Sequence, residues 1–242
     1  MSIFALFCLL TACEDDIVVT RDTVDFGYDY LPLQIGKYTI YEVDSIIYDP
    51  LQGGTAIDTS RTYVREEVTD SFVDAVGNTV YTIERSERIE GGNFWQLTDV
   101  WGAYNTDVKA VRKEENLEFI KMIFPVRDRR DWDAIPFDET IPVEVAGETL
   151  EMFKNWESEM EEVGIPDTVG TQAFEEVAIV QLADSENAIE YRYGLEKYAR
   201  GVGLVYRELR ILDTQNTGAD TLTWSQKAEK GFILEQRIVE YN

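Results

Sequence analysis

The side chains able to do chemistry in this chain are mostly carboxylates. Glutamates occur as adjacent pairs at Glu66-Glu67, Glu114-Glu115, Glu161-Glu162 and Glu175-Glu176. Two carboxylates converging on one glycosidic bond, about 5 to 9 Å apart, could hydrolyse a glycan. Neighbours on a strand face opposite sides, however, so none of these pairs can converge locally. They read instead as solvated faces. Two stretches place oxygen ligands close together, Asp128-x-x-Asp131-x-Asp133 and Asp213-x-x-Asn216-x-Gly218-x-Asp220. Neither has EF-hand spacing, and ordinary turns account for both. No metal and no cofactor is expected.

Other chemistries are excluded by composition. The 242 residues contain no histidine, and cysteine occurs only at Cys8 and Cys13. Ser-His and Cys-His nucleophiles and imidazole metal sites are therefore absent. A downstream thiolate zinc site or structural disulfide is excluded too. Lys and Arg total 22 against 47 Asp and Glu, a formal charge of −25. Such a surface repels phosphate backbones, so nucleic acid is not an expected partner.

Aromatic residues are the stronger candidates for contact with a ligand or partner. The chain has 13 Tyr, 11 Phe and 5 Trp. Trp95 and Trp101 lie six apart, on one face of a regular strand, where they could line a cavity or fill a β core. Trp132 sits in the charged segment Asp128–Pro136 and is expected to be an exposed loop aromatic.

The elements that would carry these residues read as β. β-branched and aromatic residues recur in short runs broken by Gly, Asn and Asp. Strands are expected at Tyr38–Tyr48, Tyr63–Val73, Val80–Ile89, Phe94–Tyr104, Val108–Lys113 and Leu117–Val126. Further strands are expected at Ile141–Val145, Thr149–Trp156, Phe174–Leu182, Leu204–Leu212 and Gly231–Tyr241. Gly77-Asn78 and Ala146-Gly147 mark hairpin turns. Gly164–Gly170 reads as a loop, and Ala188–Ala199 as either a short helix or an irregular strand. Sequential hairpins imply a mostly antiparallel sheet, and one this long must curl, close or stack. The expected fold is all-β with few short helices: a curved sheet or barrel-like body, with a β-sandwich as the alternative.

The N-terminus is of a different kind. Ile3–Leu10 is apolar but far short of the ~20 residues that span a bilayer. It suits the apolar core of a secretion signal. Leu10-Thr11-Ala12-Cys13 then resembles the lipobox of bacterial lipoproteins, although no Lys or Arg precedes the apolar run. The resemblance implies cleavage before Cys13, lipidation of its thiol and acylation of its amino group. Several acyl chains then hold the domain at a membrane, where one chain would bind only marginally. Glu14-Asp15-Asp16 resembles the surface-export signal of Bacteroidota lipoproteins. On this reading residues 1–12 are a signal peptide, 13–27 a lipidated acidic tether and 28–242 a single β-rich domain.

Two further phrases carry a resemblance. Tyr30-Leu31-Pro32-Leu33, Gly36-Lys37-Tyr38, Tyr41 and Val43-Asp44-Ser45-Ile46 resemble the opening of uncharacterised Bacteroidota lipoproteins. Tyr198-Ala199-Arg200-Gly201-Val202-Gly203-Leu204-Val205-Tyr206 resembles their late segment. A similar Gly-x-Gly-Leu-Val phrase occurs in periplasmic β proteins related in shape to lipoprotein carriers. The resemblance covers the two ends of the chain and implies a β fold and an envelope setting, with no activity attached. Gly201 and Gly203 are not a phosphate loop, because no third glycine opens a helix after them.

The expected function is that of a non-enzymatic, lipid-anchored domain on the outer membrane, at the cell surface or alternatively on the periplasmic face. It would hold an apolar ligand in a curved sheet or present a scaffolding surface. Its expected partners are the membrane, through the acyl chains, and a lipid, glycan or envelope protein. The alternative is a carboxylate-based hydrolase acting on glycans.

Overall fold

A computed structural model describes residues 24–51, 55–137, 139–218 and 221–242. Cys13, Glu14, Asp15 and Asp16 lie outside the described residues.

The first strand, β1 (Tyr38–Asp49), follows its own alternation. Thr39, Tyr41 and Val43 are buried, while the residues between them are half-exposed. It pairs antiparallel with β2 (Ala56–Val73), and β2 with β3 (Thr79–Ile89). The β2–β3 turn is held by Asp74, whose Oδ1 accepts from the N–H groups of Val76 and Asn78 at 3.0 and 2.8 Å. Only Gly77 adopts positive φ there, at 95°. The meander continues through β4 (Gln96–Asn105), β5 (Lys109–Glu114) and β6 (Leu117–Ile123).

A second meander runs through β10 (Ser158–Val169), β11 (Gln172–Glu186), β12 (Glu190–Ala199), β13 (Gly203–Asp213) and β14 (Lys230–Tyr241). β14 pairs with β1 and joins the two meanders. β7 (Arg130–Trp132) adds to β10 at the far edge. The result is one 12-stranded antiparallel sheet, ordered β6-β5-β4-β3-β2-β1-β14-β13-β12-β11-β10-β7, nearly closed into a barrel. It is not a sandwich. A separate two-stranded sheet pairs β8 (Val143–Val145) with β9 (Glu148–Leu150). Their turn is Ala146-Gly147, both at positive φ (52° and 79°), as a two-residue hairpin requires. The 12-stranded sheet's two edges, β6 and β7, are close in sequence, and Ile120 of β6 meets β7 and the residues just after it at two points. Ile120 N–H donates to the Ala134 carbonyl at 2.9 Å. The Trp132 indole N–H donates to the Ile120 carbonyl at 2.8 Å.

Four local readings change, the first being the strand expected at Thr149–Trp156, which ends at Leu150 as β9. Asp128–Pro136 is not all loop, because β7 lies within it. Gly164–Gly170 is not a loop either, since β10 runs to Val169. Register shifts flank Glu162 and Ile165, so bulges absorb Gly164 and Pro166. β7 pairs only with Ser158–Met160, which leaves the later half of β10 as an edge where proline removes no ladder bond. The Ala188–Ala199 ambiguity resolves as strand β12. Gly194 fits there because a Cβ would lie 3.0 Å from that of Leu182.

The barrel interior holds the main core, including Val64, Met122, Val177, Val180, Val205, Ile211 and Ile238. Segments plug both ends. Tyr30, fully buried, leads into Leu31-Pro32-Leu33 at one end. The β8–β9 hairpin and its flanks cover the other, where Phe119, Phe137, Phe153 and Trp156 form a chain of ring contacts at 5.4–5.5 Å. A short helix, α1 (Trp224–Lys227), covers Tyr48 and Leu212 outside the wall.

Candidate functional site

Alternation along β2 places Val64, Glu66 and Val68 on the inner face, so Glu66 points into the barrel and Glu67 does not. Glu66 is 8% exposed. The same alternation buries much of Glu114 on β5 and leaves Glu115 exposed at the turn. The adjacent pairs are therefore split across the wall. Their inward members, with Glu196 from β12, meet four inward cations instead of solvent. This corrects the reading of Glu66 and Glu114 as solvated.

The contacts form a continuous network. Glu66 is bound by Arg112 at 2.7 Å and Arg85 at 3.3 Å. Arg112 reaches Glu114 at 3.0 Å. Lys121 lies 3.9 Å from Glu114 and 3.1 Å from Glu196. Arg207 contacts Glu196 at 2.7 Å. The Tyr198 hydroxyl donates to the other Glu196 oxygen at 2.5 Å. Burial by itself would raise the Glu196 carboxyl, but Lys121 and Arg207 overcome it and hold the group down at about 2. Burial also opposes ionisation of Glu66 and Glu114, and both are likewise held below the usual carboxylate range by their cations. The Tyr198 hydroxyl is pushed well up by burial and by Glu196.

A pocket of about 360 Å³ lies between this network and the segment that carries the β8–β9 hairpin. Arg85, Asp99, Glu114, Lys121, Glu196 and Arg207 form its charged side. Its apolar side is built by Phe119, Phe153, Leu182, Leu209, Phe232 and Leu234. That volume is at the lower end of small-molecule sites. A smaller cavity, of about 90 Å³, lies on the other side of the network under Leu31-Pro32-Leu33.

Two residues beside the larger pocket carry unpaired donors. The indole N–H groups of Trp101 and Trp156 are buried and have no hydrogen-bond partner among the described residues. A buried donor without an acceptor costs about 1–3 kcal/mol, and neither nitrogen exposes surface to the pocket.

The three tryptophans singled out in the sequence do not come together. Trp101 is on the inner face, with the guanidinium groups of Arg85 at 5.0 Å and Arg112 at 4.7 Å from its ring centre. Trp95 is on the outer face under Arg88, at 4.9 Å, and that same guanidinium also covers Tyr63. The expectation of one shared face fails because a register shift opposite Arg85 and Ser86 inserts Thr98 as a bulge. Trp132 is not an exposed loop aromatic. It is half-buried on β7, and its N–H is committed to closing the barrel.

Trp156 and the ionic residues were missed as site residues. A local signal did exist for two of them. Glu66 lies between Val64 and Val68, and Arg207 between Val205 and Leu209, so each has apolar residues two positions away on both sides. On a strand that places a charge on the apolar face.

Comparison with protein-family models finds no match, and comparison with curated proteins finds none. Among solved structures the chain is similar to a candidate lipoprotein from Parabacteroides distasonis, at 9% identity and a TM-score of 0.37, over 88% of this chain and 98% of that one. It is also similar to a candidate exported protein with a YmcC-like fold from Bacteroides fragilis, at 11% identity and a TM-score of 0.36, over 87% and 98%. Likenesses this distant say nothing of ligand or activity.

Proposed function

We propose that this chain is an acyl-anchored envelope lipoprotein whose barrel is a non-catalytic binding module for a small amphiphilic molecule. The observation that carries the binding role is the pocket, apolar on one side and charged on the other. The anchor rests on the sequence around Cys13, and surface display on Glu14-Asp15-Asp16.

The position of the pocket suits an anchored binder. β14 begins at Lys230, whose ammonium donates to the Thr149 carbonyl on the capping hairpin at 3.0 Å. It ends at Tyr241, beside Asn242, whose side chain accepts from Tyr38 N–H at 2.8 Å where β1 begins. The tether therefore enters at one end of the barrel and the capped pocket lies toward the other, roughly a strand length away. The pocket end would face the medium.

The hydrolase reading is weaker. A glycosidase needs one carboxylic acid held in its protonated form. Glu66, Glu114 and Glu196 are all pushed the other way by their cations.

Native mass spectrometry of the domain, followed by organic extraction, tests the binding role. A co-purifying amphiphile is the expected result. An apo mass from every preparation, with no binding on addition of envelope lipid extract, would overturn it. Replacing Cys13 by Ser should move the protein out of the membrane fraction. External protease on intact cells should remove the domain, and Ala at positions 14, 15 and 16 should protect it. Equal digestion of both forms would assign the acidic cluster to the tether alone and favour no membrane face.

A further inference from the structure

We infer that the tether end of the barrel lies on a zwitterionic lipid surface, with the β2–β3 turn, the β4–β5 turn and the entering segment seated in the interface. This deepens the anchoring at Cys13 proposed above and rests on it.

The topology gathers exposed apolar residues at that end. The β2–β3 and β4–β5 turns lie at the same end of the antiparallel sheet as the start of β1. Val73 and Val76 at the first turn are 68% and 83% exposed, and Val108 at the second is 63% exposed. Phe26, Tyr28 and Ile35 are exposed as well. Local contacts hold these residues in place. The rings of Phe26 and Tyr28 stack at 5.4 Å, and the Tyr28 hydroxyl donates to the Asp107 carbonyl at 3.1 Å, next to Val108. Gly36 N–H donates to the Val68 carbonyl at 2.8 Å, which sets Ile35 beside the β2–β3 hairpin. Exposed hydrocarbon on ordered loops marks a contact surface.

Several acids at this end are already engaged. Asp74 is turned back into its hairpin, its second oxygen accepting from the Asn78 side-chain amide at 3.0 Å. Asp25 and Asp29 are both held by Arg200, at 2.8 Å. Asp107 stays exposed, and the chain carries a formal charge of −25, so an anionic surface would repel this face.

The tether selects lipid as the occupant. Cys13 and Val24 are eleven residues apart, so acyl chains on Cys13 keep this end within about 38 Å of the bilayer. The opposite end also exposes apolar residues, Ile89 and Phe94 among them. It lies a strand length further off, about 37 Å for β1, or roughly 30 Å along the barrel axis once tilt is allowed for. Laying that end on lipid would pull the tether almost straight, at a cost in chain entropy. The tether end reaches lipid with slack to spare. Apolar side chains on such a face enter the interface by about 5–10 Å.

The test uses the full lipidated chain. Signal cleavage removes Cys8 and lipidation consumes the Cys13 thiol, so one introduced cysteine takes the label. Val76→Cys, Val108→Cys and Phe94→Cys are each labelled with a nitrobenzoxadiazole fluorophore, with urea midpoints confirming the fold. Each is added to preformed phosphatidylcholine–phosphatidylethanolamine vesicles containing nitroxide-labelled lipid. Labels at 76 and 108 should be quenched about twofold or more beyond the label at 94. Val76→Asp, added to Val108→Cys, should cut the quenching at 108 by about half. Unchanged quenching there would remove the β2–β3 turn from the face. Protein that sediments with the vesicles while its labels at 76 and 108 are quenched no more than that at 94 would overturn the docked face and leave the anchor standing. A lipidated chain that does not sediment with vesicles would overturn the anchor, and the docked face with it.

Discussion

Lys121 on β6 and Glu196 on β12 are separated along the sheet by β5, β4, β3, β2, β1, β14 and β13, yet their charged atoms are 3.1 Å apart. The contact crosses the barrel interior and ties the first meander to the second. It is an ion pair of the costly kind, desolvated on both sides, and its partners are retained by the network around it.

Glu196→Gln should destabilise the fold by about 3 to 5 kcal/mol, because Lys121 and Arg207 would then face a neutral amide. Urea unfolding measures this directly. A loss below about 1 kcal/mol would mean that water already screens the cluster.

Acid should unfold the protein in a defined window. The ordinary value for a glutamate is 4.5, and Glu196 is held at about 2 in the fold. Its folded value is depressed, so its contribution is fully present above about 4.5 and drains away as pH falls toward 2. Glu66 and Glu114 shift in the same direction and add to the loss. No histidine titrates in this chain, so urea midpoints should be nearly flat from about pH 6 to 8. A midpoint that falls steeply between those values would contradict this assignment.

Trp132→Phe keeps an aromatic ring and removes the pyrrole half whose N–H reaches the Ile120 carbonyl. The expected cost is about 1 kcal/mol, with faster amide exchange concentrated in β6 and β7. Uniformly faster exchange across all strands would show that the bond does not close this seam.

Gly231→Ala should be the most damaging small substitution. Gly231 has φ of 116°, and a Cβ there would lie 2.0 Å from the Ile211 carbonyl oxygen on β13. Loss of the β13–β14 pairing, and with it most soluble protein, is expected. Gly147→Ala makes the control: its Cβ meets nothing within 4 Å, so the cost is confined to backbone strain of about 1 kcal/mol. Equal yields from the two would refute the steric account.

Much of the sheet could be read from local pattern. Alternation marked β1 and β14, and a pair of turn-forming residues placed the β8–β9 hairpin. Such signals need only near neighbours, since a strand's faces follow from its period of two. The same rule, applied to Glu66 between two valines, could have found one inward charge. It could not have supplied that charge with partners, and an unpartnered inward charge is a worse reading than a solvated one.

Local pattern failed where a non-local contact overruled a residue's habit. Gly164 and Pro166 signal a loop, but β11 holds them as bulges in β10. The charged stretch around Trp132 looks like solvent-facing loop, but β10 recruits three of its residues as an edge strand. A bulge at Thr98 separated Trp95 from Trp101. From residue order alone come the all-β character, the excess of acid, the absence of imidazole chemistry and the lipobox resemblance at Cys13. Closure of the barrel decided the rest. It brought Glu114, Lys121, Glu196 and Arg207 into one desolvated cluster and set a half-apolar pocket beside it, because only a closed sheet makes neighbours of residues so far apart along the chain.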